Sequence, residues 1–274
     1  MKTVACIIAR TNSKRLPQKV LKIINGKAMI EHIIENVKAI KEIDEIYICS
    51  SKNEEDKILE KIAEKNEIKF YGGSEKAVIE RMLDVAEKEK AINVIRITGD
   101  NIFTDKFFLE EMLKWHKIKN ADYTRTEYIS IGATAEIMKV DALKDCYKSI
   151  DPDKSEYLFL YMFNPEKYKC LTLIPEEKYQ SVYSSLTVDT ESDWKRTEFI
   201  FEKLKDTINY FNIVELNKKD KIPNFEIDKN IQIKLPDNEE ISYYLFRKKL
   251  EEKILMSEKI YLISKNEKEN IEEC

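Results

Sequence analysis

Residues 7–21 read IIARTNSKRLPQKVL, in which an apolar run is followed at once by a loop with four cationic side chains, Arg10, Lys14, Arg15 and Lys19. Because like charges repel one another, we expect an anionic ligand to lie beside this loop. Arginine presents a planar fork of donors that suits phosphate, and lysine adds a compact charge. The loop therefore predicts a polyphosphate site, with a solvated basic loop as the alternative. The glycine-rich spacing of a P-loop is absent from the sequence.

Short apolar runs alternate with longer segments of helical periodicity, and this order predicts the fold. Strands are predicted at residues 3–9, 45–50, 68–73, 93–100, 132–140 and 184–189, and helices at 28–40, 53–66, 77–90, 105–120, 141–149 and 190–204. Strands that alternate with helices in this way form parallel sheets with crossover helices. We therefore expect an α/β fold with a Rossmann-like, mostly parallel sheet and helices on both faces. The region 121–180 is less regular, and residues 155–164 fit no single period.

The composition changes after residue 217, where prolines and polar residues become frequent. We therefore expect a first domain over residues 1–217 and a C-terminal extension over residues 218–274. Residues 239–264 of the extension are amphipathic, which predicts a helix. This helix either covers an apolar patch on the core or forms the contact of a homodimer.

The composition excludes several classes of protein. Lys and Arg number 47 against 51 Asp and Glu, a net charge of −4, so the basic excess of a nucleic-acid-binding protein is missing. No apolar run reaches about 18 residues, and the N-terminus has no signal-peptide pattern, so we expect neither a membrane span nor secretion. Five scattered cysteines predict reduced thiols in a cytoplasmic protein. With two histidines, His32 and His116, we expect neither histidine catalysis nor a zinc site.

Two aspartates follow apolar runs that are predicted strands, Asp100 in RITGD and Asp189 in LTVDT. In an open parallel sheet, ligands bind beyond the carboxyl ends of the strands. A single aspartate at such a position is usually a turn residue or a helix cap, and Thr190 with Asp193 also predicts a capping box for the following helix. Two aspartates at one sheet edge, opposite a cationic loop, indicate a Mg²⁺ site that substrate phosphates and water complete.

Five stretches of the sequence together resemble a known family. They are ARTNSKRLPQKVL (9–21), NGKAMIEHIIENV (25–37), GGSEKAVIERMLDVA (72–86), RITGDN (96–101) and LTVDTESDW (186–194). Their order and spacing are similar to those of the cytidylyltransferases that include the spore-coat polysaccharide proteins, and more distantly of the enzymes that make CMP-linked sugar acids such as CMP-Kdo. The resemblance covers residues 3–204 and implies the nucleotide-diphospho-sugar transferase fold, with residues 1–217 as the nucleotidyltransferase domain.

The resemblance implies an activity and a role for each matching residue. The enzyme would transfer CMP from CTP to an acidic acceptor such as a sugar acid, releasing pyrophosphate, in the biosynthesis of surface glycans. Asp100 and Asp189 would bind Mg²⁺, the implied cofactor. The residues implied to bind the nucleotide are Ala9, Arg10, Arg15, Lys19, Ser74, Arg81 and Asp100, of which Arg10, Arg15, Lys19 and Asp100 would act in catalysis.

The acceptor half of the sequence departs from the family pattern. Ser185 replaces the arginine that usually precedes the second acidic motif, and the family's Arg-Glu-His segment keeps only Glu156. Glu136 and Glu156 are therefore the acidic residues expected to bind the acceptor. Three alternatives stay open: a phosphate or phosphonate acceptor, another nucleoside triphosphate, and a degenerate nucleotide-binding subunit. The retained aspartate pair argues against the last, because a pure binder needs no second metal carboxylate.

Overall fold

The computed structural model describes residues 2–151, 157–236 and 239–263. Its strands are β1 (Thr3–Ile8), β2 (Ile23–Ile24), β3 (Lys27–Ala28), β4 (Glu45–Ser51), β5 (Lys69–Gly73), β6 (Asn93–Thr98), β7 (Tyr123–Thr126), β8 (Glu136–Lys139), β9 (Cys170–Ile174), β10 (Gln232–Lys234), β11 (Glu240–Ser242) and β12 (Glu258–Tyr261). Its helices are α1 (Met29–Lys38), α2 (Lys57–Lys65), α3 (Val78–Glu89), α4 (Lys106–Lys119), α5 (Val140–Ser149), α6 (Leu158–Met162), α7 (Glu191–Leu204), α8 (Tyr210–Lys219) and α9 (Tyr243–Met256). The strands and helices predicted over the first 120 residues all form at the expected places.

The main sheet contains eight strands within the described residues, in the order β12-β9-β7-β8-β6-β1-β4-β5. β8 runs antiparallel to β6 and β7, and every other neighbouring pair is parallel. The mostly parallel sheet predicted from the sequence is therefore confirmed. From β1 the chain crosses to β4 on one side, and after β5 it returns to β6 on the other side of β1. This reversal of strand order makes a crevice at the carboxyl end of β1, where ligands bind in open α/β sheets.

Helices pack on both faces of the sheet, as predicted, and each face has its own apolar core. In β1, Ala5 and Ile7 face a core with side chains of α1, α2, α4, α7 and α8, whereas Val4 and Cys6 face a core with side chains of α3, α5, α6 and α9. A strand that is covered on both faces has a continuous apolar sequence, which is why β1 could be recognised. None of the helices in the described ranges combines the length and the apolar character needed to cross a membrane.

The prediction of a strand at residues 184–189 is wrong. The segment, all of which is described, is extended but forms isolated bridges instead of a strand ladder. The backbone N–H of Leu186 donates to the carbonyl of Ile131, and that of Val188 donates to the carbonyl of Asp100. Leu186 and Val188 are fully buried, so the apolar run predicted burial correctly. Burial alone did not reveal that the neighbours of this segment are loops.

The C-terminal extension contains the antiparallel pair β10–β11, then a helix and a further strand. Of the amphipathic segment, Tyr243–Met256 form α9, and Glu258–Tyr261 form β12, which pairs in parallel with β9 at the edge of the main sheet. α9 buries Leu250 and Ile254 in the core on its face of the sheet. The segment after residue 217 thus contributes a strand to the same sheet as the first domain. The domain boundary at 217 and the homodimer contact stay predictions.

The cysteines among the described residues are buried free thiols, as the sequence predicts. Burial raises the pKa of Cys146 to about 11 and that of Cys170 to about 12. Both thiols are therefore protonated at neutral pH and contribute to the apolar core.

His116 lies on α4 and is buried against β6 and β7. Its Nε2–H donates to Oδ1 of Asn93 at 3.2 Å, and its Nδ1 accepts from the hydroxyl of Thr124 at 2.8 Å. Burial, with smaller contributions from the charges of Lys139 and Lys117, lowers the pKa of His116 to about 4. The ring is therefore neutral in the folded protein at pH 7.

We expect the folded protein to lose stability through His116 between pH 7 and pH 5. Below pH 6.5 the unfolded chain binds a proton on this ring, whereas the folded protein does so only near pH 4, so acid favours unfolding. The expected loss in the free energy of unfolding at pH 5 is about 2 kcal/mol. Urea unfolding at pH 7, 6 and 5 should show this loss in the wild type and not in His116→Gln. An equal pH dependence in both proteins would contradict the lowered pKa.

Candidate active site

The basic loop after β1 meets the two predicted aspartates in one cluster. Nζ of Lys19 lies 3.3 Å from Oδ2 of Asp100 and 2.7 Å from Oδ1 of Asp189. Nη2 of Arg15 lies 3.1 Å from Oδ2 of Asp189. The side chain of Lys19 is 12% exposed, whereas that of Arg15 is 67% exposed. The structure thus brings together four of the residues named from the sequence, although their roles remain predictions.

A close approach of two loops lets Asp100 reach this cluster. The backbone N–H of Gly99 donates to the carbonyl of Ile8 at 2.8 Å, which continues the pairing of β6 with β1. A Cβ added at Gly99 would lie 2.9 Å from the Cβ of Ala9. Only glycine therefore permits this spacing without a shift of the backbone. Ala9 is buried, and it contributes to the site through this contact.

The first turn of α7 holds Asp189 in place. Thr190 and Asp193 form the predicted capping box, and Oδ2 of Asp193 also accepts from the backbone N–H of Asp189 at 3.1 Å. Arg196, which is 1% exposed, donates to Oδ1 of Asp193 at 2.9 Å and also to the carbonyls of Thr187 and of residue 224. Arg196 connects α7 with the backbone at residues 187 and 224. Its role was not identified from the sequence.

Asp56 holds the beginning of the basic loop and was also not identified from the sequence. It accepts from the backbone N–H of Thr11 at 2.7 Å, from the hydroxyl of Thr11 at 2.8 Å and from the hydroxyl of Ser51 at 2.5 Å. Burial alone would raise the pKa of Asp56, but these hydrogen bonds from Ser51 and Thr11 lower it below its usual value. An ionised, buried carboxylate therefore connects the loop after β1 with the end of β4.

Arg10, Ser74 and Arg81 lie on the side of the crevice that β4 and β5 form. Arg10 pairs with Glu75 at 3.2 Å in an exposed contact, and the hydroxyl of Ser74 accepts from the backbone N–H of residue 77 at 3.1 Å. Arg81 is 1% exposed and donates to the carbonyl of Cys49 at 3.1 Å. Burial lowers the pKa of Arg81, and the charge of Arg10 lowers it further. Two neighbouring cations, one of them buried, indicate an anionic ligand here.

Glu136 holds an arginine in place. It is buried, pairs with Nη1 of Arg96, and accepts from the hydroxyl of Tyr123 at 2.5 Å. Burial alone would raise the pKa of Glu136, but the charges of Arg96 and Arg125 lower it, so the side chain is ionised. Both of its oxygens are thus engaged by the protein, and its role toward an acceptor stays a prediction. Glu156 lies outside the described residues.

The aspartate pair has the donor set that suits a magnesium ion. Oδ1 of Asp100 is buried and has no hydrogen-bond partner among the described residues, so it is free to accept from a ligand. Mg²⁺ typically takes one or two carboxylates together with phosphate oxygens and water. Within the described residues there is no cluster of three or more His, Cys, Asp or Glu that could hold a metal ion. The two carboxylates therefore fit a magnesium ion that a substrate helps to bind.

The fold and this arrangement of side chains define the class of the protein. It is an α/β protein with a basic loop and two aspartates at the crevice of a mostly parallel sheet, the place where such sheets bind ligands. A family model described as cytidylyltransferase matches residues 4–272. The chain belongs to the cytidylyltransferase family, and the resemblance noted in the sequence is confirmed.

A curated relative agrees with this family, and two solved structures agree with the fold. The chain is 30% identical over 204 residues to the spore coat polysaccharide biosynthesis protein SpsF of Bacillus subtilis, over 72% of this chain and 85% of the relative. It is similar to the structure of a cytidylyltransferase from Leptospira borgpetersenii, with a TM-score of 0.76 and 24% identity, over 83% of this chain and 99% of that one. A CMP:2-keto-3-deoxy-manno-octonic acid synthetase complexed with CTP gives a TM-score of 0.60 and 17% identity, over 74% of this chain and 99% of that one. The two structures support the fold.

We expect Asp56→Asn to destabilise the protein and to loosen the basic loop. The amide removes the charge that strengthens three hydrogen bonds, at a cost of about 1–3 kcal/mol in the free energy of unfolding. Urea unfolding measures the loss, and hydrogen exchange at the amide of Thr11 measures the local opening. The neighbouring exposed Glu55→Gln is the matched control and should change neither. Wild-type exchange at Thr11 in Asp56→Asn would refute this role for Asp56.

Proposed function

We propose that this protein is a cytidylyltransferase that transfers CMP from CTP to an acidic acceptor and releases pyrophosphate, in the biosynthesis of a surface glycan. The observation that carries the proposal is the meeting of Lys19 and Arg15 with Asp100 and Asp189 at the sheet crevice of a chain from this family. Two similar proteins support the details. SpsF is named for spore coat polysaccharide biosynthesis, and the CMP:2-keto-3-deoxy-manno-octonic acid synthetase was solved in complex with CTP.

CTP would lie along the carboxyl ends of β5, β4, β1 and β6. Its triphosphate would pair with Arg10, Arg15 and Lys19, because guanidinium and ammonium groups are the usual partners of phosphate. Ser74 and Arg81, after β5 and on α3, would line the nucleotide pocket. The charge of Arg10 supports this placement, since, together with burial, it lowers the pKa of Arg81, and a nearby anion would offset that effect.

Asp100 and Asp189 would hold a magnesium ion. Bound there, the ion would withdraw negative charge from the phosphates and orient them. The protein's own cations also offset negative charge at this site. Lys19 lies between the two carboxylates and reduces their mutual repulsion, and Arg15 lies beside Asp189.

In the proposed reaction, an oxygen of the acceptor forms a bond to the α-phosphorus of CTP. The bond from that phosphorus to the oxygen of the β-phosphate breaks, and pyrophosphate leaves. Such a transfer chiefly needs alignment of the two oxygens and neutralisation of the charge that grows on the leaving group. Lys19, whose side chain is 12% exposed, supplies positive charge in a partly buried position, where it acts more strongly than in water, and the exposed Arg15 adds a second charge beside it.

We expect CTP with Mg²⁺ to protect the protein against thermal unfolding more than ATP, GTP or UTP does. A ligand at 100 times its dissociation constant stabilises the folded state by about 2.7 kcal/mol. Lys19→Ala should lose most of this protection because it removes the central cation. Lys14→Ala, which removes an exposed cation of the same loop, is the matched control and should keep it. Protection by another nucleotide and not by CTP would overturn the base assignment.

We expect Asp100→Asn and Asp189→Asn each to lower the rate of pyrophosphate release by about 10²-fold or more. Each substitution removes a carboxylate charge that would hold the magnesium ion against the phosphates. The assay uses CTP, Mg²⁺ and a panel of sugar acids, sugars and phosphates that includes 2-keto-3-deoxy-manno-octonic acid. The exposed Glu191→Gln, two residues after Asp189, is the control for folding and for local charge. Full activity in either aspartate variant would remove the metal assignment. Silence across the panel, despite CTP binding, would favour a degenerate nucleotide-binding subunit.

A further inference from the structure

A charged cavity of about 270 Å³ lies beside the aspartate site. Its lining comes from β6, from β7 and the loop that follows it, and from α9. Asn101, the residue directly after Asp100, is part of the lining, so the cavity adjoins the proposed metal site. The charged side chains around it are Arg96, Arg125, Glu127, Glu136 and Arg247.

Among the described residues, the ion pairs around this cavity leave a surplus of one positive charge. Glu127, which is 2% exposed, accepts from Nη1 of Arg247 at 2.9 Å, and its Oε1 lies 2.6 Å from Nε of Arg125. Glu136 pairs with Arg96. Three guanidinium groups therefore face two carboxylates, and Arg125 and Arg247 share Glu127. A buried surplus of charge is unfavourable, so the cavity is suited to a ligand with one negative charge.

Of the three arginines, Arg247 has the most donors without a hydrogen-bond partner among the described residues, whereas Arg96 and Arg125 each have one, at Nε. Arg247 is 6% exposed, and its Nε and Nη2 have no hydrogen-bond partner within residues 2–151, 157–236 and 239–263. Arg125 is held more firmly, because its guanidinium lies over the ring of Phe159 at 4.0 Å in addition to its pair with Glu127. Unsatisfied buried donors cost folding free energy, which a ligand acceptor would recover.

An apolar groove continues from the charged cavity. Phe159, Phe246 and Leu250 line both the cavity and a neighbouring groove of about 110 Å³. The lining of the groove also includes Leu160, Leu235, Lys249 and Lys253. A ligand whose anionic group reaches Arg247 would therefore place its next atoms against apolar side chains.

We propose that this cavity binds the carboxylate of the acceptor through Arg247, and that the adjoining groove binds an apolar substituent of the same molecule. This assignment rests on the proposed function for the identity of the ligand as an acceptor. A carboxylate carries the single charge that the cavity lacks, whereas a phosphate monoester carries nearly two at neutral pH and would leave an excess. α9, which lies after residue 217, thereby supplies a residue that determines acceptor specificity.

Binding of small acids to the full-length protein tests the cavity directly. The probes are hexanoate, acetate and hexyl phosphate at pH 8, followed by ligand-observed NMR. Hexanoate should bind at least about tenfold more tightly than acetate, because its chain buries several methylene groups in the groove. It should also bind more tightly than hexyl phosphate. No saturable binding of hexanoate, or tighter binding of hexyl phosphate, would overturn the proposal.

A pair of variants separates a binding role from a structural one. Arg247→Met removes the surplus charge while Glu127 keeps its pair with Arg125, and it should weaken hexanoate binding by about 30-fold or more. Lys248→Ala removes an exposed cation next to Arg247 on the same helix, and it should bind hexanoate as the wild type does. Wild-type affinity in Arg247→Met would mean that the ion pairs serve folding alone, and the proposal would fail.

Calorimetry of CTP with Mg²⁺ keeps this test independent of the proposed function. Arg247→Met should bind CTP as the wild type does, because Arg247 lies outside the nucleotide side. If the wild type does not bind CTP, the proposed function fails, while the hexanoate result still decides whether the cavity is an acid site. With an acid that gives turnover, Arg247→Met should raise KM for that acid and leave KM for CTP unchanged.

Discussion

The contact of Lys19 with Asp100 and Asp189 is the interaction on which the rest of the site depends. The two carboxylates lie 81 and 170 residues after Lys19 in the chain, and they would repel each other without the ammonium group between them. Since the side chain of Lys19 is 12% exposed, solvent screens these charges less than it screens a surface pair. The contact can form only when the basic loop, the end of β6 and the first turn of α7 are all in place.

Strand order brings these segments near one another, and a few local contacts determine their spacing. β1 lies between β6 and β4, so the basic loop lies at the crevice by topology. Gly99 then allows the loop after β6 to touch Ala9, while Asp56 joins the basic loop to the end of β4. Asp193 and Arg196 hold the backbone that precedes α7, which carries Asp189. Each of these residues acts on the site by positioning a neighbour.

Local patterns in the sequence predicted most of this arrangement, whereas long-range pairing could not be predicted. β1, β4 and β6 are mostly buried strands rich in apolar residues, and the residues after them could be assigned to one sheet edge. The segment 184–189 also buries apolar side chains but faces loops, and β9 and β12 are short strands whose partners lie far away in the chain. The pair of Glu127 with Arg247 spans 120 residues, and no spacing rule connects a loop after β7 with α9.

The two halves of the proposed reaction draw on different parts of the fold. The nucleotide side uses residues directly after parallel strands, where short motifs are sufficient to recognise them. On the acceptor side, Ser185 stands where the family usually has arginine, and it forms a bridge with Ile131, which lines the charged cavity. An arginine at position 185 would thus lie next to the cavity. In this protein Arg247, on α9, supplies a positive charge to the cavity instead. Because α9 contacts neither Lys19 nor the aspartates through any hydrogen bond among the described residues, a change of acceptor can be accommodated on α9 without disturbing the nucleotide side.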